Sequence, residues 1–310
     1  MYAAKIIAHS ICGNTQKEII TWELVYPRMI HAEVMTHRLF SRNAASSRAI
    51  PIQKVIDMVD QNPAMPFHWG KNQPGMQAKE EFTGEELEIA QGLWSVAAGE
   101  ALVVAKQMAE LGLHKQVVNR MLEPFQWMKV VLTTTEQANF FWLRDHEDAD
   151  PTLAHIARMM VEEYEKSVPV LLMPGDWHVP YFGKTGHWFA GNSNGGHSLQ
   201  DALNISMSCC AQVSYRTLDD TLEKAQKVVE RLNLGIDAEK PVHASPSEHQ
   251  ATPMKQEFFH KSFDHSVNLK GFPETWEDGI TAYHKVLGFM SGNFSGFIQN
   301  RQLIEGHTKW

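Results

Sequence analysis

The stretch Ile30 to Pro51, IHAEVMTHRLFSRNAASSRAIP, constrains the fold of this chain more than any other. It holds five basic residues (His31, His37, Arg38, Arg42, Arg48) and four small polar ones (Ser41, Asn43, Ser46, Ser47), with no acid after Glu33. The run leading into it, TWELVYPRMIHAEVM, is strand-like. The reading is a strand that delivers a polar, cationic loop to the edge of a core. Arginine presents a rigid fork of donors that matches phosphate, so the loop suits an anionic ligand. The plainer alternative is a solvated basic turn.

The rest of the chain favours a small ligand over a polymer. A net charge of −8 argues against non-specific nucleic-acid binding, which needs a positive field. With 43% hydrophobic and 21% charged residues, 310 residues make a soluble globular chain, one elaborate domain or two small ones. No apolar run reads as a membrane span, and the N-terminus MYAAKIIAHSICGN does not read as a signal peptide. Cys12, Cys209 and Cys210 form no CxxC pair, which points to reduced thiols and a cytoplasmic setting.

Periodicity gives a mixed α/β succession. Residues 4–11 and 19–35 read as strands, with a bend or edge at Pro27. Residues 52–82, punctuated by Pro and Gly, read as an irregular connector. Thr83-Gly-Glu-Glu86 reads as a capping box opening a helix to about Leu111, whose apolar residues, Leu93 and Val104 among them, predict a broadly buried face. A short helix over 114–122, a strand or extended link from Trp127, a helix capped by Thr134 or Thr135 and running through Arg144, and a helix opened by Asp150-Pro151 follow. Residues 173–198, rich in Gly, His and aromatics, are either a lid or a surface insertion held down by Trp177 and Trp188. Helices are expected at 199–213 and 218–232, the latter closed by Gly235, then a loop over 241–253, a helix near 275–290 and a final strand.

Several patches together resemble the flavin-dependent thymidylate synthases (ThyX). The family signature Arg-His-Arg, seven residues, Ser reads here Thr36-His37-Arg38, then Leu39 to Ala45, then Ser46, with Asn43 and Arg48 around it. Arg120, in GLHKQVVNRMLEP, falls on a family arginine that reaches the nucleotide phosphate. Asn139-Phe-Phe-Trp-Leu-Arg144 is similar to the family's Asn-Phe-x-x-Leu-Arg. Ala211-Gln-Val-Ser-Tyr215 and His243-Ala-Ser-Pro-Ser-Glu-His249 resemble two further motifs, which in the family precede the arginine-rich strand and here follow it. The resemblance is therefore to a circularly permuted or divergent, phage-type member.

The resemblance implies one ThyX-like α/β domain over 1–310, a central sheet flanked by helices. Its parts are a nucleotide and flavin half (1–172), the 173–198 segment, and a remainder (199–310) with a flavin-side loop. It implies conversion of dUMP to dTMP with FAD, NADPH and methylenetetrahydrofolate, in a homotetramer that shares sites between chains. Arg48 and Arg120 would clamp the nucleotide phosphate. Arg144 would polarise the pyrimidine, with Ser46 beside the ring. His37, Arg38, Asn43, Asn139, His243 and Ser245 would line the flavin. No protein metal site is expected; a metal reading of His243, Glu248 and His249 lacks helical His-Glu-x-x-His spacing.

The departures bear on both ligands. Thr36, Ala44, Thr133 and Thr135 replace family residues on the flavin side. Glu33 stands where a Gln often meets the substrate; an ionised carboxylate only accepts, which favours an amino group such as that of dCMP. C5 methylation or hydroxymethylation of dCMP is thus an alternative, as is a non-catalytic nucleotide-binding homologue. Each match also has a plainer reading: Arg120 and Arg144 as surface residues paired with Glu123 and Asp148, and the histidines as packed loop residues.

Overall fold

Alternating apolar side chains build the first hairpin of the computed structural model, which describes residues 1–214, 218–232, 244–255 and 276–306. Strands β1 (Ala3–Cys12) and β2 (Glu18–Pro27) pair antiparallel, with a register shift between Ile6 and Ala8. Pro27 has no N–H for the ladder, and β2 stops there. The chain leaves the sheet through a 3-10 turn at Arg28–Ile30 into α1 (His31–Met35). The strand expected over 19–35 is therefore half strand, half helix. Arg28 fixes the exit: it pairs with Glu123 at 3.0 Å and donates to the Ala45 carbonyl.

The next elements are β3 (Ser41–Ala44), α2 (Ile52–Gln61), α3 (Gly84–Glu110) and α4 (Lys115–Met121). Then come β4 (Trp127–Thr134), α5 (Gln137–Arg144), α6 (Pro151–Lys166) and β5 (Val170–Leu172). The five strands form one sheet in the order β3-β4-β2-β1-β5, in which β5 runs parallel to β1 and the other pairings are antiparallel. β3 is an edge strand, so the basic stretch does reach the rim of a sheet.

The strand period of two gives this sheet two different faces. On one, Ile20, Trp22, Leu24 and Tyr26 of β2 join Met128, Val130 and Leu132 of β4 under Phe140 of α5 and Leu153, Ile156 and Met160 of α6. Full burial of each such side chain contributes roughly 1.5–3 kcal/mol. The other face is more polar. It carries Ser10, Thr21, Thr133, Ser41 and Asn43, all buried.

That polar face is covered by the second half of the chain. There lie β6 (Trp177–His178), β7 (His187–Trp188), α7 (Leu199–Ala211), α8 (Leu222–Leu232) and β8 (Ala251–Pro253). They are followed by β9 (Ala282–His284), β10 (Gly288–Ser291), β11 (Phe294–Ser295) and β12 (Phe297–Gln299). Sheet order is β12-β8-β6-β7 in one small sheet and β11-β10-β9 in another. The described residues thus make a mixed α and β fold with a central sheet covered on both faces.

Several expectations are corrected. The 52–82 connector contains α2, an amphipathic helix whose Val55, Ile56 and Val59 pack on α3 and α4. Segment 173–198 holds the β6–β7 hairpin, with Trp177, His178 and His187 buried, so it is part of the packed interior and not a structureless lid. The helix expected near 275–290 is the β9–β10 hairpin. Gly279 and Gly288 adopt φ of +89° and +78°, which a right-handed helix cannot contain. Thr83 makes no side-chain cap to α3, and Glu136 rather than Thr134 or Thr135 stands at the N-cap of α5. Asp150 does cap α6, accepting from Leu153 N–H at 2.9 Å. Leu93 and Val104 of α3, expected inside, are exposed. By length and composition alone α3 would also suffice to cross a membrane, a run the sequence reading missed. Gly235 lies outside the described residues.

Candidate functional site

The site is built on the free edge of the five-stranded sheet. β3 alternates buried Ser41 and Asn43 with half-buried Arg42 and Ala44. Asn43 Nδ2 donates to the Cys210 carbonyl on α7 at 3.1 Å. Its Oδ1 is buried without a partner. Arg42 donates to the carbonyls of Val34 and His37, at 3.2 and 2.9 Å, and so ties the α1 segment to the strand.

A cavity of about 540 Å³ opens along this edge. Arg42, Asn43, Ser46 and Arg48 line it from the basic stretch, and Ser245 from the 3-10 turn Ser245–Glu248. His114 and Gln116 close it from the start of α4. His114 Nδ1 accepts from Gln116 N–H at 3.3 Å, so its ring is held by the helix it caps. The cavity adjoins a larger one, about 1120 Å³, through shared Ala49, Ala211 and Leu232. That second space lies between α2 and α8, with Ile50, Pro51, Met58 and Val228 as apolar wall and a mixed charged rim of Lys54, Lys224 and Arg231 with Asp57, Asp219 and Asp220.

A second cluster lies beyond the other end of β3. Arg144 Nε donates to His37 Nε2 at 2.9 Å. The His37 ring stacks on Phe40, with ring centres 5.5 Å apart, and meets Phe140 edge-on at 4.8 Å. Burial, and then the charges of Arg144 and Arg42, push His37 down to about 4. At neutral pH it is an uncharged imidazole that accepts from the guanidinium. Arg144 makes no ion pair among the described residues. Its alternative partner Asp148 instead faces His146, and Glu123, the alternative for Arg120, is taken by Arg28.

The sequence-derived residues therefore divide into groups. Asn43, Ser46, Arg48 and Ser245 share one cavity. His37 and Arg144 bind each other. Glu33 on α1, Arg38 after it, Asn139 on α5 and Arg120 on α4 are exposed and line neither cavity. His243 lies outside the described residues. Arg42 stands between the two clusters: it lines the cavity with Arg48 and donates to the His37 carbonyl. Arg48 lines the smaller cavity, whereas Arg120 and Arg144 line neither of the two.

Two features escaped the sequence reading. Arg42 and His114 join the cavity, although no motif assigned them a role. The larger omission is a buried polar seam between the sheets. Ser10 Oγ lies 2.7 Å from His178 Nδ1 and 2.8 Å from His187 Nε2. Thr21 Oγ1 lies 2.8 Å from His178 Nε2 and 2.7 Å from Thr133 Oγ1. Thr133 Oγ1 lies 2.8 Å from His249 Nδ1. Burial pushes His249 down to about 3 and His187 to about 4, and His178 well below its ordinary value. All three are neutral at physiological pH. His249 Nε2 and His187 Nδ1, the two ends, are buried without partners. Glu248 is bound by Arg301, and no cluster among the described residues is arranged to hold a metal ion.

No protein-family model and no curated protein matches the chain. Among solved structures it is similar to a UMP/dUMP methylase, PolB, from Streptomyces cacaoi bound with 5-Br UMP. The TM-score is 0.43 at 13% identity, over 55% of this chain and 90% of that one.

Proposed function

We propose that the protein is a flavin-dependent enzyme that modifies C5 of a pyrimidine deoxynucleotide in the cytoplasm. In its most specific form it makes dTMP from dUMP with methylenetetrahydrofolate and NADPH. One observation carries the reading. Asn43, Ser46, Arg48 and Ser245, taken from motifs in distant parts of the chain, line one cavity together with Arg42. Two guanidiniums with two hydroxyls make a donor set suited to phosphate. Arg48 forms no ion pair among the described residues.

The same residues fit a flavin dinucleotide. The cavity is cationic, it opens into a larger space with an apolar wall, and Asn43 offers a buried acceptor with no partner. Asn43 and Ser245 would hold FAD, with His37, Arg38, Asn139 and His243 on its side. When bound, the flavin supplies the hydride and one-carbon chemistry. The protein's part is to bind and polarise. Arg48 would clamp the nucleotide phosphate. Neutral His37 keeps Arg144 in place through one nitrogen and leaves its terminal nitrogens to stabilise negative charge on the pyrimidine. Because Arg48 lines the cavity and Arg144 does not, one nucleotide would take them from two chains. Arg120, exposed on α4, would likewise act across that boundary. A homotetramer with shared sites, as the resemblance implies, supplies the arrangement.

The dCMP alternative rests on Glu33, which stands exposed on α1 and lines neither cavity. The test is an absorption spectrum of protein purified and then mixed with FAD, followed by equilibrium binding of dUMP and dCMP. The expected result is a bound flavin band near ~450 nm, the cofactor's own, and dUMP binding that falls about tenfold or more in Arg48→Ala, the loss of one charged hydrogen bond. Nucleotide binding without flavin would favour a non-catalytic homologue. Absence of both would refute the proposal.

A further inference from the structure

Helix α3 has two apolar faces, and among the described residues one of them is covered. Ala98, Leu102 and Ala105 are buried against α2 and α4. On the opposite side Ile89, Leu93, Val96, Val103, Val104 and Leu111 form a stripe, with exposures from 38% at Val104 to 82% at Leu111. At 100° per residue these six fall within roughly 100° of arc, centred about half a turn from the buried set. A helix that is apolar all round is ordinarily covered all round.

We infer that the exposed face of α3 pairs, antiparallel and about a two-fold axis, with α3 of a second copy of this chain. Area supports it. Six aliphatic side chains this open present on the order of 600 Å², the upper end of what a monomer leaves bare. With their polar border they approach the ~800 Å² per partner of a stable interface.

Charge supports it as well. With the axis at Val96, Ile89 faces the partner's Val103. Lys106 then lies on the same flank as the partner's Glu85 and Glu88. None of these three residues has an ion-pair partner among the described residues, whereas Glu86 already pairs with Lys71. The antiparallel arrangement also opposes the two helix dipoles. Glu100, within the stripe, falls opposite the partner's Gly92, beside which an added Cβ would meet nothing within 4 Å. That room lets the helices approach closely and the carboxylate reach solvent. A lipid surface suits the face less well. Its border is acidic (Glu85, Glu88, Glu110) and Glu100 lies within it, whereas interfacial helices carry lysine and arginine at their border.

The inference stands on α3 alone and does not rest on the nucleotide reading, because its readout is mass. Light scattering of the full chain at tens of micromolar should give at least twice 35.2 kDa. Leu93→Glu, at a 66% exposed position, should halve the mass, leave the far-ultraviolet circular dichroism unchanged and abolish the concentration dependence of the unfolding midpoint. Lys106→Glu should weaken association, and adding Glu85→Lys and Glu88→Lys should restore it. Val96→Cys, on the axis, should give a covalent dimer on mild oxidation; the native cysteines are buried and will not interfere. A mass of 35.2 kDa for the unaltered chain, an assembly indifferent to Leu93→Glu, or flotation of a monomer with neutral phosphatidylcholine vesicles would each overturn the inference.

Discussion

The buried imidazole of His249 makes a quantitative prediction about acid. It is fully buried and held at about 3 in the folded chain, against about 6.5 for a free histidine. The folded state therefore refuses a proton that the unfolded chain accepts. A folded value below the unfolded one means that the contribution is complete above pH 6.5. It is lost as pH falls from 6.5 towards 3. At pH 5 the unfolded histidine is almost wholly protonated and the folded one almost wholly neutral. Linkage then gives a loss of about 2 kcal/mol relative to pH 8. The figure hardly changes whether the folded value is 3 or 4. His187, at about 4, adds a similar loss of about 2 kcal/mol, and His178 acts in the same direction. Against a typical total of 5–15 kcal/mol this is a large share. The assay is urea unfolding at pH 8, 7, 6 and 5, on the unaltered chain and on His249→Gln. Glutamine can still bond Thr133 but does not titrate. The variant's stability should fall less steeply with acid, by about 2 kcal/mol over the interval. Parallel curves, or a folded His249 resonance that titrates near 6.5, would refute the argument.

Two further predictions concern the candidate site. Arg144→Gln should raise the His37 value from about 4, followed by NMR titration, yet leave it below 6.5, because burial is the larger cause and Arg144 the second. Asn43→Ala should destabilise the fold by about 1–3 kcal/mol in urea, since it leaves the buried Cys210 carbonyl without its donor.

Elements with a strong period were legible in the sequence. Helices α3 to α8 lie close to their expected positions, as do β1 and β4; Asp150 and Ser198 cap α6 and α7, and Gly112 follows α3. The failures have local causes. α2 was hidden because Pro63, Pro66 and Pro74 coloured the reading of the whole segment, although Ile52, Val55, Ile56 and Val59 repeat at helical spacing. The β9–β10 hairpin passed for a helix until Gly279 and Gly288 were seen with positive φ. Asn43, Ser46, Arg48 and Ser245, taken from motif spacing, come together at one cavity. Arg42 was counted only as one more charge in a basic run; nothing local says that it lines a cavity. The polar seam was out of reach for a different reason. Its six members come from β1, β2, β4, β6, β7 and the turn before β8, and no spacing along the chain relates them.

Those six groups also obey a rule of order. Each of the three hydroxyls owns one hydrogen and sits between two neighbours; each neutral ring owns one more. If every link is to contain one hydrogen, all must point the same way along the line, and only two such arrangements exist. When His187 shows an N–H at its outer nitrogen, His249 must show a lone pair, and the reverse. The tautomer at one terminus dictates the tautomer at the other, through side chains of four intervening strands, without any movement of the backbone.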